Sequence, residues 1–243
     1  MQGYQQQPAS PQPQMGRSPQ LNTGVVQFMN GVYAWMAAGL AVTAAIAWGI
    51  SQSPQALQMF FDFQGGGYTA LGYVALFAPL AIIFLGGSRM MNMSRGAAVA
   101  VFMVLSILYG CTFSLVPLIF NVDTIFKAFF ATTGMFAAMA AFGFITKKDL
   151  NGIGQFLIMV VFGIIIAQVV NMFFVQSAGA SMAIDAVVVL VFAGLTAYHT
   201  QKIKQMYLVH GGTGNLAILG ALSLYLDFIN MFMALLRLFG SRD

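Results

Sequence analysis

A chain of 243 residues that is 59% hydrophobic and only 7% charged is not a soluble globular protein, in which charged residues run near 25%. Ten Lys and Arg against six Asp, with no Glu, leave a net charge of +4, dealt out in ones and twos between apolar runs; a nucleic-acid binder would cluster them on a polar face, so nucleic acid is excluded as a partner. Together with a mean hydropathy of +0.83, this predicts an all-α polytopic membrane protein whose first partner is the lipid bilayer.

Residues 1–22 hold seven Gln and four of the seven Pro and almost nothing apolar, which predicts a disordered cytoplasmic tail ahead of a transmembrane domain over 23–243. The start lacks the basic residues and short apolar core of a cleaved signal peptide, so the first apolar run is expected to stay as a signal anchor. Seven apolar runs follow, at about 25–50, 69–87, 97–120, 128–146, 152–175, 182–201 and 216–239, each near the length of about twenty residues that a spanning helix needs. Pro79 and Pro117 fall inside two of them, which neighbouring helices can tolerate.

Basic residues in the connections set the orientation. With the N-terminus inside, Arg17, Arg89, Arg95, Lys147, Lys148, Lys202 and Lys204 are cytoplasmic, against Lys127, Arg237 and Arg242 outside. The C-terminus then lies outside unless the last segment re-enters the membrane. The longest outside connection, 51–68, contains Pro54, Asp62 and the glycines 65–67 and reads as a flexible loop. Cys111, the one cysteine, lies within an apolar run and is expected to pack as a small core residue.

Small and amide side chains recur within the spans: Gln27, Asn30 and Ala34; Ser106, Gly110 and Ser114; Gly163, Ala167 and Asn171 beside Gln168. Such spacings of three and four suit close packing of membrane helices, and a minority of these residues could line a wet path. The sixth run ends in Thr196, Tyr198, His199 and Thr200, just before Lys202 and Lys204. That puts His199 near the cytoplasmic boundary, by helix length well short of Asp227; it is either an interfacial histidine or a pH-sensitive partner for a buried carboxylate. His210 is expected to be solvated in the connection that follows.

Asp227 sits near the middle of the seventh run, where an ionised group costs several kcal/mol unless it faces protein, water or a partner. Ser223, Asp227, Asn230 and Arg237 share one helix face, opposite Leu222, Leu226, Ile229, Met233 and Leu236. For Ser223 and Asn230 the expected role is interhelical hydrogen bonding; for Asp227 it is function. Nothing resembles a nucleophile elbow, an HExxH or CxxC motif, or paired carboxylates on one helix turn, so an enzyme is not expected.

Two stretches carry a family resemblance. Ala197-Tyr198-His199-Thr200-Gln201-Lys202, within 192–204, and Leu224-Tyr225-Leu226-Asp227-Phe228-Ile229-Asn230, continued by Arg237-Leu238-Phe239-Gly240, resemble the signature ends of the Bax inhibitor-1/YccA-like family, in its bacterial branch. Val32-Tyr33-Ala34-Trp35-Met36 and Thr146-Lys147-Lys148-Asp149-Leu150 support the match, which covers about 24 to the end. The resemblance implies a seven-transmembrane-helix bundle with the last helix central, in a bacterial inner membrane. It also implies a pH-sensitive cation leak, chiefly for calcium, gated by two aspartates that share a proton. One falls on Asp227, a weak metal candidate; the other falls on position 199, where this chain has His. Calcium is expected as a transported ion, with no cofactor, and Ser223, Asn230, Arg237, Asn171 and Arg89 are possible supporting polar residues. Some bacterial relatives associate with a membrane-bound ATP-dependent protease, and in that alternative the N-terminal tail would act without any conduction.

Overall fold

The computed structural model describes residues 19–86, 89–212 and 215–240, so most of the Gln/Pro-rich tail, Arg17 and Arg242 lie outside the described residues. Helix α1 runs over Pro19–Ser51. A short helix α2, Pro54–Phe60, starts on Ser53, whose side chain accepts a bond from Ala56 N, with Pro54 in the first turn, where a missing N–H costs nothing. Strands β1 (Phe61–Asp62) and β2 (Gly67–Tyr68) pair antiparallel. The connection 51–68 is therefore an ordered helix and turn, not a flexible loop. Asp62 Oδ1 accepts from Gln64 N at 3.0 Å and Gly65 N at 2.9 Å, and Gly66 takes a φ of +72° that favours glycine.

Helix α3 covers Ala70–Gly86, with Pro79 inside it. Helix α4, Arg95–Thr112, passes through a 3-10 turn, Phe113–Leu115, into α5, Val116–Ile119, with Pro117 in its first turn. Helix α6 spans Val122–Ile145 and α7 spans Asn151–Val170, extended by a π turn over Asn171–Val175. Helix α8, Ala178–His210, and α9, Leu216–Gly240, form the final hairpin. His210 ends α8 and is exposed; it is not in the connection.

Six of these helices are long and apolar enough to cross a membrane. The second apolar run instead forms α3, whose 17 residues reach roughly 26 Å at about 1.5 Å each, short of a core of about 30 Å.

Helix α9 packs against α1, α4, α6 and α8, and 61% of its most apolar stretch is buried, against 6% in α7, which presents its side chains outward. The core is organised on Val25, Met29, Val32 and Met36 of α1, Phe102 and Leu105 of α4, and Leu224, Tyr225 and Met231 of α9. On the first half of α1 the buried stripe is thus aliphatic, while Gln27 and Asn30 are exposed on the other side. Gly163 likewise faces away from any neighbour, whereas Gly110 and Ser106 lie at the α1–α4 contact as expected.

Behind α9, Thr43 Oγ1 bonds Tyr225 OH at 2.7 Å and donates to Ser106 O at 2.9 Å, linking α1, α4 and α9. Gly143 allows α6 to rest directly on α8: a Cβ there would stand 2.2 Å from Ala197 O. Gly154 does the same for α7, against the Tyr198 ring. Cys111 is free and buried.

Candidate functional site

The α8–α9 hairpin positions the site. His199 lies eleven residues before the end of α8 and Asp227 eleven residues after the start of α9, so antiparallel packing brings the two level. His199 Nδ1 lies 2.7 Å from Asp227 Oδ2, and Asp227 is 1% exposed. The two helices do not stop where the lysines begin: α8 continues through Lys202 and Lys204 for two further turns, so His199 is inside the hairpin and not at its boundary. The expected gap in depth is corrected by this extension.

At this distance imidazole and carboxylate can share one proton, with Nδ1 donating or accepting according to the tautomer. With the proton present the pair is neutral, either as an imidazolium–carboxylate ion pair or as neutral imidazole beside a carboxylic acid. Without it the pair carries one negative charge.

A cavity of about 1280 Å3 runs along α8 and α9 from this pair. At one end its lining stops at His199 and Ser223; at the other it reaches Asn171, Ser177, Asp185 and Arg237. One flank is apolar and shared by α3 and α7, through residues such as Leu80, Ile83, Phe162 and Ile165. Beyond the His199 end the loops are tied down. Gln201 accepts from Leu150 N at 2.9 Å and donates to Lys148 O at 2.8 Å, and Lys204 Nζ donates to Phe144 O at 2.6 Å. Asn215 donates to Met90 O and Met93 O at 2.9 and 2.7 Å.

The remaining sequence candidates divide. Ser223 and Asn230 line the cavity, but each bonds a carbonyl four residues back on its own helix, Leu219 O at 3.1 Å and Leu226 O at 2.8 Å, so neither is an interhelical tie. Their spare polar capacity faces the cavity. Leu226, Ile229 and Met233, expected on an opposite face, line it as well. Asn171 is buried in the π turn, where it donates to Ser181 Oγ at 2.7 Å and accepts from Ser177 N at 3.2 Å. Arg89 is exposed beside the 3-10 turn Met90–Asn92 and is not part of the lining.

Arg237 forms a two-pronged ion pair with Asp185 of α8, which is not among the residues singled out from sequence. Arg237 Nε donates to Oδ1 and Oδ2 at 3.0 and 3.1 Å, and Nη2 donates to Oδ1 at 2.6 Å. An aspartate three residues into an apolar run was itself the signal, by the same rule that singled out Asp227. Among the described residues, no three His, Cys, Asp or Glu side chains converge as a metal cage would require.

Long apolar helices enclosing a buried ionisable pair at the end of a cavity define a polytopic helical membrane protein. The family model described as inhibitor of apoptosis-promoting Bax1 matches residues 25–243. The chain is 39% identical over 228 residues to the inner membrane protein YbhL of Escherichia coli K12, covering 92% of this chain and 95% of that one. It is 39% identical over 227 residues to an uncharacterized protein of Caulobacter vibrioides, covering 90% of each, and 31% identical over 232 residues to an uncharacterized membrane protein of Streptococcus pyogenes serotype M1, covering 92% and 96%. The chain belongs to the Bax inhibitor-1 family.

Proposed function

We propose that this protein is a pH-sensitive cation leak of a bacterial inner membrane, not an enzyme, in which His199 and Asp227 form the proton-sensing gate. The observation that carries the reading is the 2.7 Å contact between them at the end of a cavity that runs along α8 and α9. Loss of the shared proton places one uncompensated negative charge there, which draws a cation into a space that otherwise holds none of net charge. In this reading α3 completes a seven-span bundle by local thinning of the bilayer, with α9 central. The lysines beyond His199 face the cytoplasm with the N-terminus. Ser223, Asn230 and Asn171 supply oxygens along the path.

Calcium is the proposed cargo, carried weakly. It prefers several oxygen ligands, and a His–Asp pair supplies one carboxylate where the family pattern has two. No resident cofactor is involved.

The test is calcium and monovalent cation flux into proteoliposomes across about pH 5 to 8, the range that brackets the charge change of an ordinary imidazole. Flux is expected to rise with pH as the pair loses its proton; a flux flat across that range would overturn the gate. Deleting residues 2–20 separates this role from docking on a membrane-bound ATP-dependent protease. The leak is expected to survive the deletion with its pH profile intact, and loss of a protease-linked phenotype with no flux in either form would favour the docking role.

A further inference from the structure

Arg237 and Asp185 stand at the opposite end of the same cavity from His199 and Asp227, roughly 15 Å away along α9 at about 1.5 Å per residue. Asp185 is 5% exposed, and both its oxygens are engaged by one guanidinium. Such a pair is not needed to hold α8 to α9, which pack along their length through Val188, Leu195, Leu224 and Phe228, and a buried ion pair is on average no more stabilising than apolar residues of the same volume. Its placement has a different consequence. Among the described residues lining the cavity, the charged or titratable groups are Asp185, Arg237, His199, Asp227 and Tyr109 of α4; α7 and its π turn offer the neutral Gln168, Asn171 and Gln176. A cation entering from this end meets a guanidinium first. The one carboxylate that could attract it is covered by that guanidinium.

We propose that the Asp185–Arg237 pair is a second gate in series with the first, set by ion-pair geometry and not by protonation. This rests on the leak reading for its purpose but not for its test. While paired, the guanidinium occupies both oxygens of Asp185, so the neutral pair offers an entering cation no ligand. When the guanidinium swings aside, Asp185 becomes a cation entry site. Arginine stays protonated at any physiological pH, so this gate adds no pH dependence of its own. The neighbouring collar, in which Asn171 bonds Ser181 and Gln176 adopts a left-handed φ of 48°, holds the start of α8 and with it Asp185 in place.

The experiment places a reporter cysteine between the gates, Asn230→Cys in a Cys111→Ala background, in proteoliposomes. It compares labelling rates by a cationic and an anionic membrane-impermeant methanethiosulfonate reagent. Arg237→Gln is expected to raise the cationic rate and to lower the anionic rate by on the order of tenfold each, the size expected of a unit charge about 10 Å away at an effective dielectric of about 20, so that their ratio rises about a hundredfold. Asp185→Asn, which uncovers the guanidinium, is expected to lower it. Opposite signs are the signature, since a pair that merely held helices together would loosen both variants alike. Ratios that move in the same direction, or do not move, overturn the proposal. If an unpaired charge stops either variant from folding, Arg237→Lys keeps the charge without the two-pronged contact; an intermediate rise is expected, and no change overturns the gate. The labelling result stands whether or not wild-type protein passes ions, so failure of the leak reading is seen separately, as absent wild-type flux.

Discussion

Asp227→Asn is expected to reduce cation flux through proteoliposomes by at least about tenfold and to abolish its dependence on pH, while the protein remains folded. The amide has the shape of the carboxylate and can still bond His199 Nδ1, so the 2.7 Å contact and the packing of a side chain that is 1% exposed are both kept. Only the charge is lost. A unit charge acting on an ion about 4 Å away at an effective dielectric near 20 contributes about 4 kcal/mol, far more than the roughly 1.4 kcal/mol that equals a factor of ten. The tenfold figure is therefore a lower bound. Asp227→Ala makes a poor substitute, because it removes packing and leaves the imidazole without its partner, so that lost flux and lost fold become confounded. The check is flux at two pH values for wild type and the Asn variant, beside melting in detergent. Wild-type flux and pH profile in a well-folded Asn variant would remove Asp227 from the gate.

Much of this fold is written in hydropathy. The last apolar run, 216–239, reappears as Leu216–Gly240, and its buried carboxylate faces protein as its cost in lipid demands. Apolar periodicity was silent on which polar residues meet. Ser223 and Asn230 sit on the right face yet satisfy themselves on their own helix, because a hydroxyl or amide can reach the carbonyl four residues back without any partner helix. Asp185 is hard to read from sequence because charge sets orientation through the connections, and placing Arg237 on the face of Asp227 and among the outer basic residues does not say which carboxylate it meets.

The level of His199 was legible in principle but needed the turn. Lysines are a poor marker of where α8 ends, because their long side chains let the helix continue past them; Lys204 reaches Phe144 O while its backbone stays helical. Once the turn is fixed between His210 and Leu216, equal counts of eleven residues on each side place His199 opposite Asp227. The connection 51–68 failed for a different reason. Glycines 65–67 suggest freedom, yet Asp62 fixes the turn by accepting two backbone N–H groups, a local bond that composition does not reveal.

His199→Asp is expected to increase calcium flux about tenfold or more and to move the pH at which flux turns on. In the present protein the pair with its shared proton is neutral, and without it carries one negative charge. Two carboxylates in the same place are one unit more negative at each matched step, since close carboxylates hold one proton between them and lose it only at a higher cost. A divalent ion responds to that extra charge twice as strongly as a monovalent one, so the calcium gain is expected to exceed the potassium gain. The second carboxylate also adds up to two oxygen ligands for an ion that favours six to eight. Geometry supports the exchange: His199 Nδ1 already lies 2.7 Å from Asp227 Oδ2, and the shorter side chain leaves room for an ion or water between them. Flux of calcium and of potassium, each followed across the same pH range, decides the matter. No calcium gain in a folded His199→Asp protein would mean that the charge at position 199 does not limit conduction, and the weak calcium leak proposed for this chain would lose its physical cause.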